Sequence, residues 1–231
     1  MVLGEKKMVV TVQKSREEIL KKLEPFKKVF LSGCQSCATT CRTGGERELK
    51  DMTQFLTESG KEVTGYLLPE KGCLLPPVKK ELRASQKAVD DAEVILLLCC
   101  GLGNQVLTEI TKKVVVPGCD TLFLGPEWKT EISPTGLVNT FEEKCSLCGE
   151  CILDLMGGLC PHTLCAKGLL NGPCGGTTKD GKCEVNGDRL CGWILIYNRL
   201  KEIGRLDLMK ANQPAKDWSK KIKPLRAKAA V

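Results

Sequence analysis

Cysteine is the residue type with the clearest chemistry in this sequence, and it is concentrated between residues 145 and 191. The stretch KCSLCGECIL places Cys145, Cys148 and Cys151 at a constant interval of three. This C-x-x-C-x-x-C spacing is typical of ferredoxin loops, in which three thiolates from one turn bind one four-iron cluster. Two such clusters require eight thiolates, and five further cysteines follow the loop: Cys160, Cys165, Cys174, Cys183 and Cys191.

The sequence leaves the assignment of these cysteines to sites open. The bacterial ferredoxin run ends in C-P, and Cys160 is followed by Pro161, although at a longer interval than in that motif. We group Cys145, Cys148 and Cys151 with one later cysteine and leave four of the others for a second cluster. Zinc also binds four thiolates, so a zinc ion at one site is the alternative.

A second group of cysteines lies in the first half. Cys34, Cys37 and Cys41 form a C-x-x-C-x-x-x-C motif in one loop, and a fourth thiolate would complete a four-iron site. Cys100 is the first choice for that ligand, because it ends a predicted strand and precedes glycines that let the backbone approach a cluster. Cys73 is the alternative. Zinc would need the same residues, so both metals remain open here as well.

The elements that would position these cysteines alternate between strand and helix. Strands are predicted at KKVFLSG, KEVTGYLL, EVILLLCCG, VVVPGC and TLFLG, and the segments between the first four have apolar residues at helical spacing. This order predicts an α/β fold with a flavodoxin-like or Rossmann-like parallel sheet. Because the carboxyl ends of parallel strands share one edge, we expect the cysteines of this half to gather there: Cys34, Cys37, Cys41, Cys73, Cys99, Cys100 and Cys119. Cys99 and Cys119 belong to no motif and are predicted to be buried small apolar residues.

Other chemistry has little support in the sequence. The G-x-G at Gly101 and Gly103 lacks the third glycine of a dinucleotide fingerprint, because Val106 stands there. His162, the only histidine, is expected to be a surface or hydrogen-bonding residue, which leaves no histidine for acid–base catalysis. Aromatic residues make up only 4% of the chain, so a stacking platform for nucleic acid is not expected. We therefore expect a non-catalytic protein that does not bind nucleic acid.

The cysteine count also bears on the compartment. Fifteen cysteines cannot all pair within one chain, and the opening residues lack the apolar core of a secretion signal. Metal ligation is therefore favoured over a disulfide framework. The longest apolar run, VILLLCCGLG, is too short to span a bilayer. We expect a soluble cytoplasmic protein without a membrane span.

Composition divides the chain into three segments. We predict an α/β domain at 1–138, a small cysteine-rich domain at 139–205 and a basic C-terminal tail at 206–231. The middle segment has few apolar periods and buries too little apolar surface to offset its conformational entropy. Bound metal would supply the missing stabilisation. The tail is expected either to be solvated or to dock on an acidic partner surface.

The motifs KCSLCGECIL, GGLCPHTLCAKGLLNGPCGG and GKCEV resemble the cysteine-rich domain family named for the carboxyl end of methylenetetrahydrofolate reductase. The segments GCQSCATTCRTGGE and LCCGLGNQ are similar to the first half of the stand-alone small subunit of that enzyme in acetogenic bacteria. The resemblance implies an iron–sulfur subunit whose ligands are Cys34, Cys37, Cys41, Cys100 and the eight cysteines from 145 to 191. It also implies docking on a separate flavin-bearing catalytic subunit, and a further electron-donor subunit is a second candidate partner.

Two functions follow from this resemblance. In the first, two or three four-iron clusters pass electrons to or from the partner's flavin, which serves the reduction of methylene-tetrahydrofolate in the Wood–Ljungdahl pathway of anaerobes. In the second, zinc replaces the clusters and the chain is a structural scaffold of the same type of complex. The barrel that would hold flavin and folate is absent from this sequence, so the reduction itself is not expected of this chain.

Overall fold

The computed structural model of the chain describes residues 8–133 and 136–221. The chain divides into two compact units, Met1–Glu142 and Glu143–Val231, which we call the first and the second unit and describe one at a time. The division at residues 138 and 205 stays a prediction. Residues 222–231 of the predicted basic tail lie outside the described residues.

Strands and helices alternate in the first unit. The strands are β1 (Val9–Gln13), β2 (Lys28–Ser32), β3 (Glu62–Leu67), β4 (Val94–Leu97), β5 (Val114–Pro117), β6 (Cys119–Leu124), β7 (Glu127–Ser133) and β8 (Gly136–Phe141). The helices are α1 (Arg16–Leu23), α2 (Cys37–Thr40), α3 (Glu46–Glu58), α4 (Leu75–Leu82), α5 (Gln86–Asp91) and α6 (Gly101–Thr111). The second unit has α7 (Pro161–Leu164), α8 (Gly192–Glu202) and short 3₁₀ turns at Leu153–Met156, Leu206–Lys210 and Trp218–Lys221.

Four of these strands form the parallel sheet that the sequence predicts. Their order is β3-β2-β4-β5, with β2 paired in parallel to both β3 and β4. The second of the four parallel strands therefore lies outside the first, as in flavodoxin-like folds. All four residues of β4 are buried, which explains why its sequence is a continuous apolar run. The predicted α/β class with a parallel sheet is confirmed.

The strand predicted at TLFLG is not part of this sheet. It lies in β6, which pairs antiparallel with β1 in a separate two-stranded sheet. Neither β1 nor α1 was predicted, because the partner of β1 lies more than a hundred residues further along the chain and leaves no local pattern. A second antiparallel pair, β7 with β8, was not predicted either.

The core of the first unit lies on both faces of the parallel sheet. Alternate residues of the central strands point to opposite sides, so that Phe30 and Ile95 pack in one buried cluster while Leu31 and Leu96 pack in the other. Helices cover both faces, as expected for a parallel sheet. This core fixes the loops that follow the strands.

The second unit has a small core built around α8. Met156, Cys191, Trp193, Ile196 and Leu200 are its buried members. The Trp193 indole N–H donates to the Leu169 carbonyl at 3.2 Å, which ties α8 to the preceding loop. Long cysteine- and glycine-rich loops surround this core without further strands of their own in the described part of the unit. That metal stabilises this unit remains a prediction.

Candidate metal centres

The carboxyl edge of the parallel sheet gathers cysteines from several loops. Cys34 follows β2, Cys73 lies in the loop after β3, and Cys99 and Cys100 follow β4. Cys34, Cys99 and Cys100, which we call the sheet-edge thiols, are buried together in one cluster, whereas Cys73 is exposed. The three sheet-edge thiols are among the seven cysteines that the sequence predicts at this edge.

Cys99 lies between the other two sheet-edge thiols. Its Sγ is 3.9 Å from the Cys100 Sγ and also hydrogen-bonds Cys34. The Gly72 N–H donates to the Cys34 Sγ at 3.4 Å. A Cβ atom at Gly103 would lie only 3.1 Å from the Cys99 Sγ, so glycine lets the start of α6 approach the sulfur. Cys99 thus contacts both neighbouring sulfurs, which its lack of a sequence motif did not indicate.

Hydrogen bonds among the sheet-edge thiols change their acidity. The hydrogen bond from Cys99 lowers the pKa of both Cys34 and Cys100, against the opposing effect of burial. The hydrogen bond with Cys100 raises the pKa of the Cys99 thiol most, and the hydrogen bond with Cys34 raises it next. Burial raises it further. Because Cys99 has a single S–H, it favours the thiolate form, which is the form that binds metal, at either Cys34 or Cys100 and not at both at once.

The other predicted ligands of the first unit are Cys37, Cys41 and Cys73. Burial raises the pKa of Cys41, and charge on Cys37 or Cys100 would raise it further, so these residues share one electrostatic neighbourhood. The Cys41 Sγ also contacts the Val9 carbonyl at 3.9 Å. Burial raises the pKa of Cys73, and charges on Cys100, Cys34 and Cys37 would raise it further, so Cys73 belongs to the same neighbourhood. The ligand role of the C-x-x-C-x-x-x-C motif stays a prediction.

Cys119 differs from the sheet-edge thiols. It is buried, as predicted, and its Sγ donates to the Thr43 carbonyl at 3.6 Å. Burial raises the pKa of Cys119 to about 12, so its thiol stays protonated at neutral pH. Nothing in its contacts indicates a ligand.

In the second unit, four cysteines line a cavity of about 300 Å³, which we call the wide cavity: Cys145, Cys148, Cys151 and Cys160. Leu147 lies in the same loop and has a φ of +53°, a left-handed conformation that leucine rarely adopts. Its N–H donates to the Cys145 Sγ at 3.4 Å. A strained backbone that directs an N–H at a sulfur is typical of functional loops.

The other four cysteines line a second cavity of only about 20 Å³, the narrow cavity: Cys165, Cys174, Cys183 and Cys191. The Gly176 N–H donates to the Cys174 Sγ at 3.4 Å, and the Cys174 thiol donates to the Glu184 carboxylate at 3.2 Å. That carboxylate also forms an ion pair with Lys167, which lowers the pKa of Glu184. The volume suits a single ion, because one water-sized sphere already fills most of it.

The short helix α7 separates the two sets of cysteines. Cys160 is the residue before this helix and Cys165 the residue after it, and Pro161 occupies its first turn, where proline is well tolerated. The two thiols therefore reach different cavities although they are close in sequence. The structure places Cys160 on the same wall as the C-x-x-C-x-x-C cysteines.

The donor chemistry of these sites fits thiolate-bound metal. No three His, Cys, Asp or Glu side chains in 8–133 and 136–221 stand close enough together to hold a metal ion as they are. However, all fifteen cysteines are free thiols, each cavity carries four of them, and backbone N–H groups point at sulfurs in all three regions. Sulfur ligands with backbone N–H donors suit iron–sulfur clusters, and four thiolates also suit zinc. The individual ligand assignments stay predictions.

His162 is half-buried, and its Nε2 atom is buried without a hydrogen-bond partner in the described part of the chain. Its ring contacts the edge of Trp218, with ring centroids 5.7 Å apart. Burial and then the charges of Lys216 and Lys221 lower the pKa of His162, so its imidazole is neutral at pH 7. The contact shows that part of the predicted tail packs on the second unit.

Together, these features define an α/β unit followed by a cysteine-rich unit with two four-thiol cavities. Residues 127–219 match a protein-family model described as methylene-tetrahydrofolate reductase C terminal. The match covers less than half of the chain and relates this segment to methylene-tetrahydrofolate reductases. No curated protein and no solved structure is significantly similar to the chain. Among the helices of the described ranges, none has the length and apolar character needed to cross a bilayer.

Proposed function

We propose that this chain is an iron–sulfur electron-transfer subunit of a methylenetetrahydrofolate reductase complex. The observation that carries the proposal is the division of eight cysteines into two sets of four, each on its own cavity. A thiolate-bound cluster needs four such ligands at one place. The family match to residues 127–219 supports the enzyme context.

The wide cavity is the proposed site of a four-iron cluster, held by Cys145, Cys148, Cys151 and Cys160. When bound, such a cluster accepts and releases single electrons. The chain supplies the thiolates and an N–H donor at Leu147, and these hydrogen bonds help to set the reduction potential.

The sheet edge is the proposed second cluster site. The hydrogen bond of Cys99 favours a thiolate at Cys34 or Cys100 there, and Cys37, Cys41 and Cys73 are the candidates for the remaining ligands.

The narrow cavity favours the second candidate function, a zinc-binding scaffold, at one site. Its volume of about 20 Å³ is too small for four irons and four sulfides and suits one ion. We therefore propose zinc as the occupant of the Cys165, Cys174, Cys183 and Cys191 site. Glu184 accepts from Cys174 and would orient that ligand from outside.

The proposed partner is a flavin-bearing catalytic subunit, with a further electron-donor subunit as the other candidate, and the proposed location is the cytoplasm. Cys145 and Cys151 are exposed, so a partner's redox centre can approach the wide cavity closely. Co-purification of the full-length chain with the flavoprotein tests this contact. Failure to bind any flavoprotein would count against the electron-transfer role.

Metal and sulfide analysis of the anaerobically purified full-length protein tests the cofactors. We expect a brown protein with iron, acid-labile sulfide and one zinc. Cys145→Ser should remove about four irons and leave zinc, whereas Cys174→Ser should remove zinc and leave iron. A colourless protein that holds zinc in both cavities would refute electron transfer and leave the scaffold function.

A further inference from the structure

Lys216, which follows the last helix of the second unit, has a buried ammonium group. Its side chain is only 4% exposed, although lysine is almost never fully buried unless it is paired. The Nζ atom donates to the Glu150 carbonyl at 2.8 Å and lies 3.7 Å from the Glu150 carboxylate. The Cys148 thiol donates to the same Glu150 carbonyl at 3.5 Å. A buried cation therefore contacts the loop that carries three of the wide-cavity cysteines.

The chain around Lys216 is fixed by contacts on both sides. Before it, Gln213 and Asn171 exchange two hydrogen bonds: the Asn171 side chain donates to the Gln213 carbonyl at 3.0 Å and accepts from the Gln213 N–H at 2.7 Å. After it, the Asp217 N–H donates to the Glu150 carboxylate at 3.3 Å. The position of the ammonium group is therefore set by the backbone and not only by a flexible side chain.

The simplest structural role for Lys216 is an ion pair with Glu150. The geometry does not favour it as the main role, because the closest contact of the ammonium group is to a backbone carbonyl and not to the carboxylate.

We propose that Lys216 is a positioning residue that sets the reduction potential of the centre held by Cys145, Cys148, Cys151 and Cys160. This inference rests on the proposed function. Reduction of a thiolate-bound iron–sulfur centre by one electron adds one negative charge, and no bond or proton has to change. A fixed positive charge beside Cys148 stabilises the reduced form more than the oxidised form, and so raises the potential.

Lysine variants test the proposal in the anaerobically purified full-length protein. Lys216→Met removes the charge and keeps most of the side-chain length, whereas Lys216→Arg keeps the charge. Lys201→Met, which removes an exposed positive charge from α8, is the matched control. In a dithionite titration followed by electron paramagnetic resonance, Lys216→Met should lower the midpoint potential of one centre. Lys216→Arg and Lys201→Met should leave it close to that of the unmodified protein.

Glu150→Gln provides a second test with the opposite sign. It removes the negative charge 3.7 Å from the Lys216 ammonium group and keeps an acceptor for the Asp217 N–H. The midpoint potential of the same centre should rise. This variant decides the question if Lys216→Met loses iron, because it leaves the lysine in place.

The outcomes separate this inference from the proposed function. Iron-loaded Lys216→Met with an unchanged midpoint potential would overturn the role of Lys216 and leave the electron-transfer function standing. The same holds if Glu150→Gln leaves the potential where it was. A full-length protein without iron and sulfide would instead overturn the proposed function, and this inference with it.

Discussion

The two units fix the positions of their cysteines by different means. In the first unit, buried strands build a core on both faces of a sheet, and the sheet-edge thiols follow from strand order. In the second unit, five buried residues around one helix make up the core, and most of its cysteines are exposed or half-buried. The core of the first unit positions its thiols, whereas in the second unit metal bound to the thiols would, under the proposed function, position the chain.

The two units also differ in how much apolar burial stabilises them. A fully buried apolar side chain stabilises a fold by about 1.5–3 kcal/mol, while each ordered residue costs about 1–2 kcal/mol of backbone entropy. Burial of the small apolar core of the second unit offsets only part of the backbone entropy that is lost when the unit is ordered. A structural zinc site contributes roughly 10–16 kcal/mol, so metal has the right magnitude to make up the difference.

Metal removal should give the largest effect. Treating the full-length protein with a strong chelator and reductant should unfold 143–221 and leave the parallel sheet folded, because only the first unit has a sizeable apolar core. Hydrogen exchange followed by mass spectrometry measures both units in one experiment. Equal protection of the second unit before and after metal removal would show that its small core is sufficient.

Loss of one ligand should have a similar effect on the second unit alone. Cys148→Ser should lower the iron content and increase protease cleavage there, because the wide cavity loses one of its four thiols. Cys119→Ser is the matched control, because this thiol is buried and contacts only a carbonyl among its hydrogen-bond partners. If Cys148→Ser keeps the iron content and protease resistance of the unmodified protein, Cys148 is not a ligand.

Two core substitutions, one in each unit, should show how strongly each unit depends on its apolar core. Leu96→Ala in β4 and Ile196→Ala in α8 each remove a fully buried side chain and should each cost about 2–5 kcal/mol. The first unit should remain folded at 25 °C after this loss. In Ile196→Ala, the second unit should stay unfolded under all conditions once its metal has been removed. Circular dichroism melts of both variants, with and without metal, measure the loss of folded structure in each. If both units tolerate their substitution equally well, the proposed difference between the two cores is wrong.

Truncation should give the smallest effect when it spares Lys216. Removing 222–231 should leave the iron content unchanged and weaken binding to the flavoprotein only at low salt, because higher salt screens the attraction between basic residues and an acidic partner. Removing 214–231 also deletes the buried lysine and should lower the iron content. If both truncations bind the partner equally at all ionic strengths, the tail plays no part in docking.

The sequence predicts the first unit better than the second for a physical reason. The buried strands β2 and β4 are apolar runs that can be identified locally, whereas β1 and β6 find each other only in the folded chain. The C-x-x-C-x-x-C spacing indicates a common site for three cysteines because one loop holds them. The place of Cys160 depends on α7, which is too short to leave a periodic pattern.

Two side chains with consequences for the sites left no usable signal. Cys99 was predicted to be an inert buried residue, and its burial is observed, but the strand end directs it between Cys34 and Cys100. Lys216 is one lysine in a basic tail, and nothing in the neighbouring residues distinguishes it from a solvated one. Both roles come from contacts between segments far apart in sequence.

The pairing of β2 with β4 has a consequence for synthesis on the ribosome. The Lys28 amide and its acceptor Glu93, at the start of these strands, are 65 residues apart in the chain. At about 5–20 residues per second, roughly 3–13 s pass between the emergence of the two strands. During that interval Cys34, Cys37 and Cys41 have been translated while Cys99 and Cys100 have not. Any metal that uses thiols from both sides must therefore be delivered after the strand β4 has been made, which makes maturation of this edge a late event in the life of the chain.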